Sequence, residues 1–171
     1  MIIWVASYPK SGNTWVRSII SSLIYTEDGI FDSPSFKKIG QYPQRRFLEY
    51  FTQDYNNIHE IKKHWITSQE RINLDTKIKF FKTHHLNCKI DNYPFTNKEC
   101  TRATIYIVRD PRNLIDSISN HFSKSIEESK KFLLTSKILS PGKEIELRGG
   151  NVITYLCLLY TSDAADDWFC V

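Results

Sequence analysis

The opening segment constrains the fold more than any other part of the chain. Residues 2–6, Ile-Ile-Trp-Val-Ala, are a run of bulky apolar side chains closed by Ser7, Tyr8 and Pro9. Such a run bounded by turn residues predicts a buried strand. A loop carrying Lys10, Ser11 and Gly12 follows, and then Trp15, Val16, Ile19, Ile20, Leu23 and Ile24 recur at helical spacing. That spacing predicts a helix over residues 13–25, stopped by Glu27, Asp28 and Gly29. A strand apolar on both faces that passes through a tight loop into a helix is the first unit of a parallel α/β sheet.

The same unit recurs. Residues 77–82 and 103–108 are further strand candidates, the second β-branched and aromatic almost throughout. Asp110 and Pro111 open a helix as N-cap and first residue. Helices are also predicted over residues 45–51, 58–72 (with Ile58, Ile61, Trp65 and Ile72 on one side) and 125–136. The expected fold class is α/β, three-layer, with a mainly parallel sheet. At 171 residues, 41% hydrophobic and 25% charged, the chain has the composition of a soluble domain or part of one. No stretch reaches the ~18 apolar residues of a membrane span, and no leader pattern opens the chain, so a cytoplasmic location is expected. Cys88, Cys100, Cys157 and Cys170 lack metal-ligand spacing and read as free thiols. A formal charge of +4 suits a phosphate-bearing ligand and is too weak to argue for nucleic acid.

Ligands of open parallel sheets bind at the carboxyl ends of the strands, so the residues after each strand belong together. After the first, backbone N–H groups of the loop and helix start can face an anion. Gly12 permits close approach, Lys10 adds a full charge, and Ser11 and Thr14 add hydroxyls. The nucleotide-kinase pattern G-x-x-x-x-G-K-[ST] is not met, because Lys10 precedes the glycine. After the second come Lys82, Thr83, His84 and His85, and a histidine there suits general-base work near neutral pH. After the third, Arg109 ends the strand and Ser117 lies two helical turns on, with Asn113, Ser117 and His121 in one polar stripe. Each feature alone also fits a plain structural role: a strand-to-helix turn with a surface lysine, a pair of loop histidines, a capped helix with a solvated arginine.

Together they resemble a known family. The string Tyr8-Pro-Lys-Ser-Gly-Asn-Thr-Trp15 resembles the 5′-phosphosulfate loop of the cytosolic-type sulfotransferases, with Asn13 where the family string has Thr. Lys82-Thr-His84 resembles the family's Lys-x-His, and Arg109 with Ser117 resembles its 3′-phosphate pair. The chain looks like the N-terminal part of a bacterial-like member, firm at the three motifs and thin between residues 31 and 72. The resemblance implies a phosphate loop related to that of the nucleotide kinases, and 3′-phosphoadenosine 5′-phosphosulfate (PAPS) as donor with no metal. It also implies His84 as base, Lys10 and Lys82 as catalytic cations, and Lys10, Ser11, Gly12, Asn13, Thr14, Trp15, Arg109 and Ser117 as donor ligands. Trp15 would flank the adenine; core packing is its plain alternative. The acceptor, a small molecule or carbohydrate with a hydroxyl or amine, is not specified. Phe31, Tyr42, Phe47, Phe51 and Trp65 are candidates to line its pocket, although most of them fit ordinary core. Two readings from other classes remain: a kinase-like phosphate-loop enzyme and a non-catalytic nucleotide-binding module.

The far end reads differently. All 23 Lys and Arg lie at or before Arg148. Residues 157–166, Cys-Leu-Leu-Tyr-Thr-Ser-Asp-Ala-Ala-Asp, resemble a translated sequencing adapter, so residues 1–156 are expected to be native and 157–171 not. Without Asp163, Asp166 and Asp167, 23 bases stand against 16 acids, a formal charge of +7. The family's second 3′-phosphate loop is missing, and Arg148-Gly-Gly150 does not replace it, so the fold is expected to be truncated at its C-terminal side. The 171-residue chain expressed as it stands is therefore expected to be inactive and poorly soluble. A soluble preparation that transfers sulfate would overturn this, as would native codons beneath residues 157–166 for the tail.

Overall fold

The computed structural model describes residues 1–135, together with the backbone of residues 137–139 and 154–156. The first strand, β1 (Ile2–Ser7), is almost wholly buried and occupies the middle of the sheet. It leads through the Lys10–Gly12 turn into α1 (Asn13–Tyr25). The segment that follows forms α2 (Ser33–Lys37), the short β2 (Gly40–Gln41) and α3 (Arg45–Leu48). The helix expected over residues 58–72 is present but interrupted: α4 (Ile58–Ile61), a 3₁₀ turn (Lys62–His64) and α5 (Trp65–Asn73) follow one another. Ile58, Ile61 and Trp65 are buried on one side through the break.

Strand β3 (Lys79–Thr83) then enters the sheet. A small hairpin of β4 (Lys89–Ile90) and β5 (Tyr93–Pro94) turns at Asp91 and Asn92, both at positive φ. Strand β6 (Thr101–Ile107), α6 (Arg112–Phe122) and α7 (Ile126–Leu133) follow. The helix after β6 starts one residue later than expected, with Pro111 just outside it. The N-cap position therefore falls on Pro111 rather than Asp110, and Asp110, one residue further out, accepts the Arg112 N–H at 2.9 Å. Helix α7 opens with a reciprocal Ser125–Glu128 capping box. Strands β7 (Lys137–Leu139) and β8 (Thr154–Leu156) pair antiparallel. Residues 157–171 and Arg148–Gly150 lie outside the described residues.

The main sheet has the order β2-β3-β1-β6, and every pairing in it is parallel. This is the expected α/β class. The core on one face is aromatic. Trp4 is buried against Tyr42, Phe81 and Phe95 at ring separations of 5.6, 6.3 and 5.6 Å, with Trp65 and Leu48 beyond. Its indole N–H donates to Thr101 Oγ1 at 2.9 Å, which satisfies the one polar atom of a buried ring. A second cluster joins Tyr8 to Leu114, Ile118 and Leu133 and seats α6 and α7 under the first loop. A strip remains uncovered among the described residues: Trp15, Ile19, Leu23 and Ile24 on α1, and Ile105 and Tyr106 on β6. Among the described residues no helix is long and apolar enough to cross a membrane.

Trp4 links both flanking strands to the aromatic core. Trp4→Ala is expected to destabilise the fold by about 3–5 kcal/mol, read as a lowered urea midpoint. Trp4→Phe should cost clearly less, and equal midpoints for wild type and Trp4→Ala would refute this role.

Candidate active site

Parallel pairing brings the strand ends level. Ala6 pairs with Thr83 on β3, and Ser7 with Ile107 on β6. The residues that follow these positions therefore emerge side by side. They are the Lys10–Gly12 loop, His84, and the Arg109 segment.

The loop has the form of an anion cradle. Lys10 and Gly12 both take positive φ, 68° and 102°. A Cβ built on Gly12 meets nothing within 4 Å, so the space above it is open. Helix α1 starts at Asn13 with no side-chain cap, leaving its first N–H groups unclaimed by side chains. Ser11 is buried in the turn, and its N–H reaches Tyr8 O at 3.3 Å. Thr14 and Trp15 are exposed, Trp15 at 78%. Core packing does not account for Trp15 among the described residues. Arg109 crosses from the third strand end and donates from Nη1 to Lys10 O at 3.1 Å. Ser117 is half-buried on α6.

Asn13 behaves differently from its neighbours. Its side chain is buried, turned away from the loop, and donates from Nδ2 to Val5 O at 2.9 Å and to Ser7 Oγ at 3.1 Å. Both amide hydrogens are spent within the strand end. Only its backbone N–H faces the loop as part of the helix start.

The two histidines part company. Strand alternation carries Lys82 and His84 to one face and Phe81 and Thr83 to the other. His84 Nδ1 lies 2.7 Å from Ser7 O and 3.2 Å from Ser7 Oγ. A carbonyl only accepts, so Nδ1 carries the hydrogen and Nε2 keeps its lone pair. Burial, then Lys82 and Arg17 nearby, push the His84 pKa down to about 4, against an opposing pull from the Ser7 hydrogen bond. His85 instead enters the aromatic core. It stacks on Phe95 at 4.3 Å and meets Trp65 edge-on at 4.7 Å. Its Nδ1 bonds Leu86 O at 2.7 Å and its Nε2 has no partner. Burial alone pushes it down to about 4.

Lys82 is lowered to about 8, first by burial and then by Arg17. Arg17 itself donates to Ile39 O at 2.7 Å, lies over the Phe36 ring at 4.3 Å, and keeps a buried Nε without a partner. Among the described residues no carboxylate pairs with Lys10, Arg17 or Lys82. The sequence reading missed Arg17 and Ser7. Arg17 was detectable as the residue one turn beyond Asn13 on the same helix face. Ser7 contributes a carbonyl, which residue type does not reveal. Of the pocket candidates, Tyr42 and Trp65 are core, Phe47 packs against it, Phe51 stacks on His64, and Phe31 is exposed.

Both histidines make the fold acid-sensitive. An unfolded histidine takes its proton near 6.5 and these take theirs near 4. Their contribution to stability is therefore full above pH 6.5 and is lost as pH falls toward 4, below which these two groups change nothing further. His85→Phe keeps the stack and is expected to remove roughly 3 kcal/mol of that decline. Urea midpoints at pH 7 and pH 4.5 that fall equally in the variant and wild type would contradict the assignment.

A family model described as "Sulfotransferase domain" matches residues 2–144. No curated protein and no solved structure matches the chain.

Proposed function

The chain belongs to the sulfotransferase domain family, and on that premise we propose that it moves a sulfuryl group from PAPS to a hydroxyl or amine of a small-molecule or carbohydrate acceptor. The observation that carries this reading is the meeting of an uncapped helix start, an open glycine turn and cations without a carboxylate partner, beside a neutral histidine whose Nε2 has no hydrogen-bond partner, all among the described residues. The donor, when bound, supplies a sulfuryl group on an activated phosphate.

The loop fits such a ligand. Lys10 brings a full charge beside the backbone N–H groups of residues 12–15, and its side chain has no competing carboxylate among the described residues. A well-placed donor of this kind is worth about 3–4 kcal/mol where negative charge grows. Arg109 and Ser117 are assigned to a second phosphate, and the exposed Trp15 ring to the adenine. His84 takes the acceptor's proton at Nε2, with Nδ1–H held by Ser7 O. General-base help of that type is worth roughly 10²–10⁴-fold. Lys82, on the same face of β3, offsets charge on the group being transferred. Cys88 and Cys100 are buried and not joined in a disulfide, in keeping with the cytoplasmic location that completes this reading.

In the complete protein encoded by the gene, Lys10→Ala and His84→Ala are each expected to cut transfer from PAPS by at least about 10²-fold. Their urea midpoints at pH 7 should stay close to wild type. A panel of phenols, alcohols, amines and sugars supplies the acceptor. Wild-type turnover in either variant would remove that residue from the mechanism. ATP turnover in place of PAPS turnover would favour the kinase-like reading.

A further inference from the structure

We propose that Asn13 is a positioning residue for His84, acting through Ser7 at the end of β1. This rests on the reading of His84 as the base.

The connection is continuous. Asn13 is 5% exposed and so is Ser7. One Asn13 N–H bonds Val5 O at 2.9 Å and the other bonds Ser7 Oγ at 3.1 Å. Ser7 in turn offers His84 Nδ1 two acceptors, its carbonyl at 2.7 Å and its hydroxyl at 3.2 Å. The amide orientation is fixed by chemistry. Flipping it would place Oδ1 against the Val5 carbonyl, two acceptors with no hydrogen between them.

That arrangement has a cost that needs a reason. Asn13 Oδ1 is buried with no partner among the described residues, and an orphaned buried acceptor is unfavourable because it loses its hydrogen bond to water without replacement. A side chain chosen only to fill the space would avoid it. Asn does what a single hydroxyl cannot: it supplies two hydrogens at once, to Val5 O and to Ser7 Oγ, and so clamps the last turn of the strand on which the His84 tautomer depends. With Nδ1 held as donor, Nε2 stays a lone pair aimed away from Ser7. A loosened Ser7 would let the imidazole rotate or change tautomer, and misplacement by about 1 Å at a reacting group is worth up to about 10²-fold.

The test uses the complete protein with ¹⁵N-labelled histidine. Wild-type His84 is expected to show a protonated Nδ1 and a bare Nε2 from pH 5.5 to 8. In Asn13→Ala the His84 signals should become a mixture of tautomers, and its titration should move no higher than about 4, because the Ser7 hydrogen bond pulls it upward and loosening that bond weakens the pull. With PAPS as the donor probe, kcat should fall roughly tenfold to a hundredfold, the acid limb of its pH profile should not shift upward, and the KM for PAPS should change less than about twofold. Should Asn13→Ala fail to fold, Asn13→Thr carries the test. One hydroxyl serves only one of the two oxygens, so tautomer mixing should still appear, to a smaller extent. Unchanged His84 spectra overturn the proposal. So does a loss confined to affinity for PAPS or 3′,5′-diphosphoadenosine, which would make Asn13 a phosphate ligand instead. A wild type that transfers nothing from PAPS would remove the proposed function, and the tautomer measurement would still decide the link from Asn13 to His84.

Discussion

The site depends on β1 being paired in parallel along both edges. Parallel strands start and finish at the same sides of a sheet, so their carboxyl ends converge without any side chain arranging it. Here Ala6 is level with Thr83 and Ser7 with Ile107. The first loop, His84 and the Arg109 segment are thereby delivered to one ridge from residues nearly a hundred positions apart. Two hydrogen bonds then lock the ridge, His84 to Ser7 O and Arg109 to Lys10 O. Both use backbone carbonyls, so the ridge is held by the path of the chain more than by the identity of the residues that accept.

The same strand separates chemistry from stability. Phe81 points into the aromatic core with Trp4 and Phe95, while Lys82 points the other way. His84 continues the polar side at the strand end, and His85 is drawn under it into a stack with Phe95. Two adjacent residues of one type thus acquire the same lowered pKa for different reasons. For His85 burial is the cause that lowers it; for His84 the cations of Lys82 and Arg17 add to burial. Only the second can be altered by a ligand, because only its neighbours carry charge.

Much of this was legible in the sequence, and the misses have physical causes. The apolar run of β1, the amphipathic α1 and the β-branched β6 announced themselves because burial demands those patterns. The order of the three motifs placed Lys10, His84 and Arg109 on one ridge, given a parallel sheet. For Asn13, residue type says that an amide can donate and not which way it faces. Its direction is set by Val5 O and Ser7 Oγ, which become visible only when the strand end is built. Ser7 was missed for a related reason, since every residue has a carbonyl. The helix over residues 58–72 was found but its 3₁₀ break was not. Apolar spacing survives a tightened turn, and the break puts the buried Lys62 in reach of Asp91.

The electrostatics of the ridge favour an anion before any acceptor arrives. Lys82 sits near 8 and Arg17 is lowered as well, both chiefly by burial. Holding such groups charged without a carboxylate is unfavourable, and a partner ion relieves that cost. A doubly phosphorylated donor brings several negative charges to Lys10, Lys82 and Arg109. The Coulomb contribution that depresses His84 comes from Lys82 and Arg17, so the same charges would weaken it and move His84 back toward its ordinary value. A base near 4 is poorly matched to neutral pH, whereas one nearer 6.5 is well matched. On the proposed function, then, the donor's charge would offset the part of the His84 depression that Lys82 and Arg17 cause, while the larger part, burial, would remain.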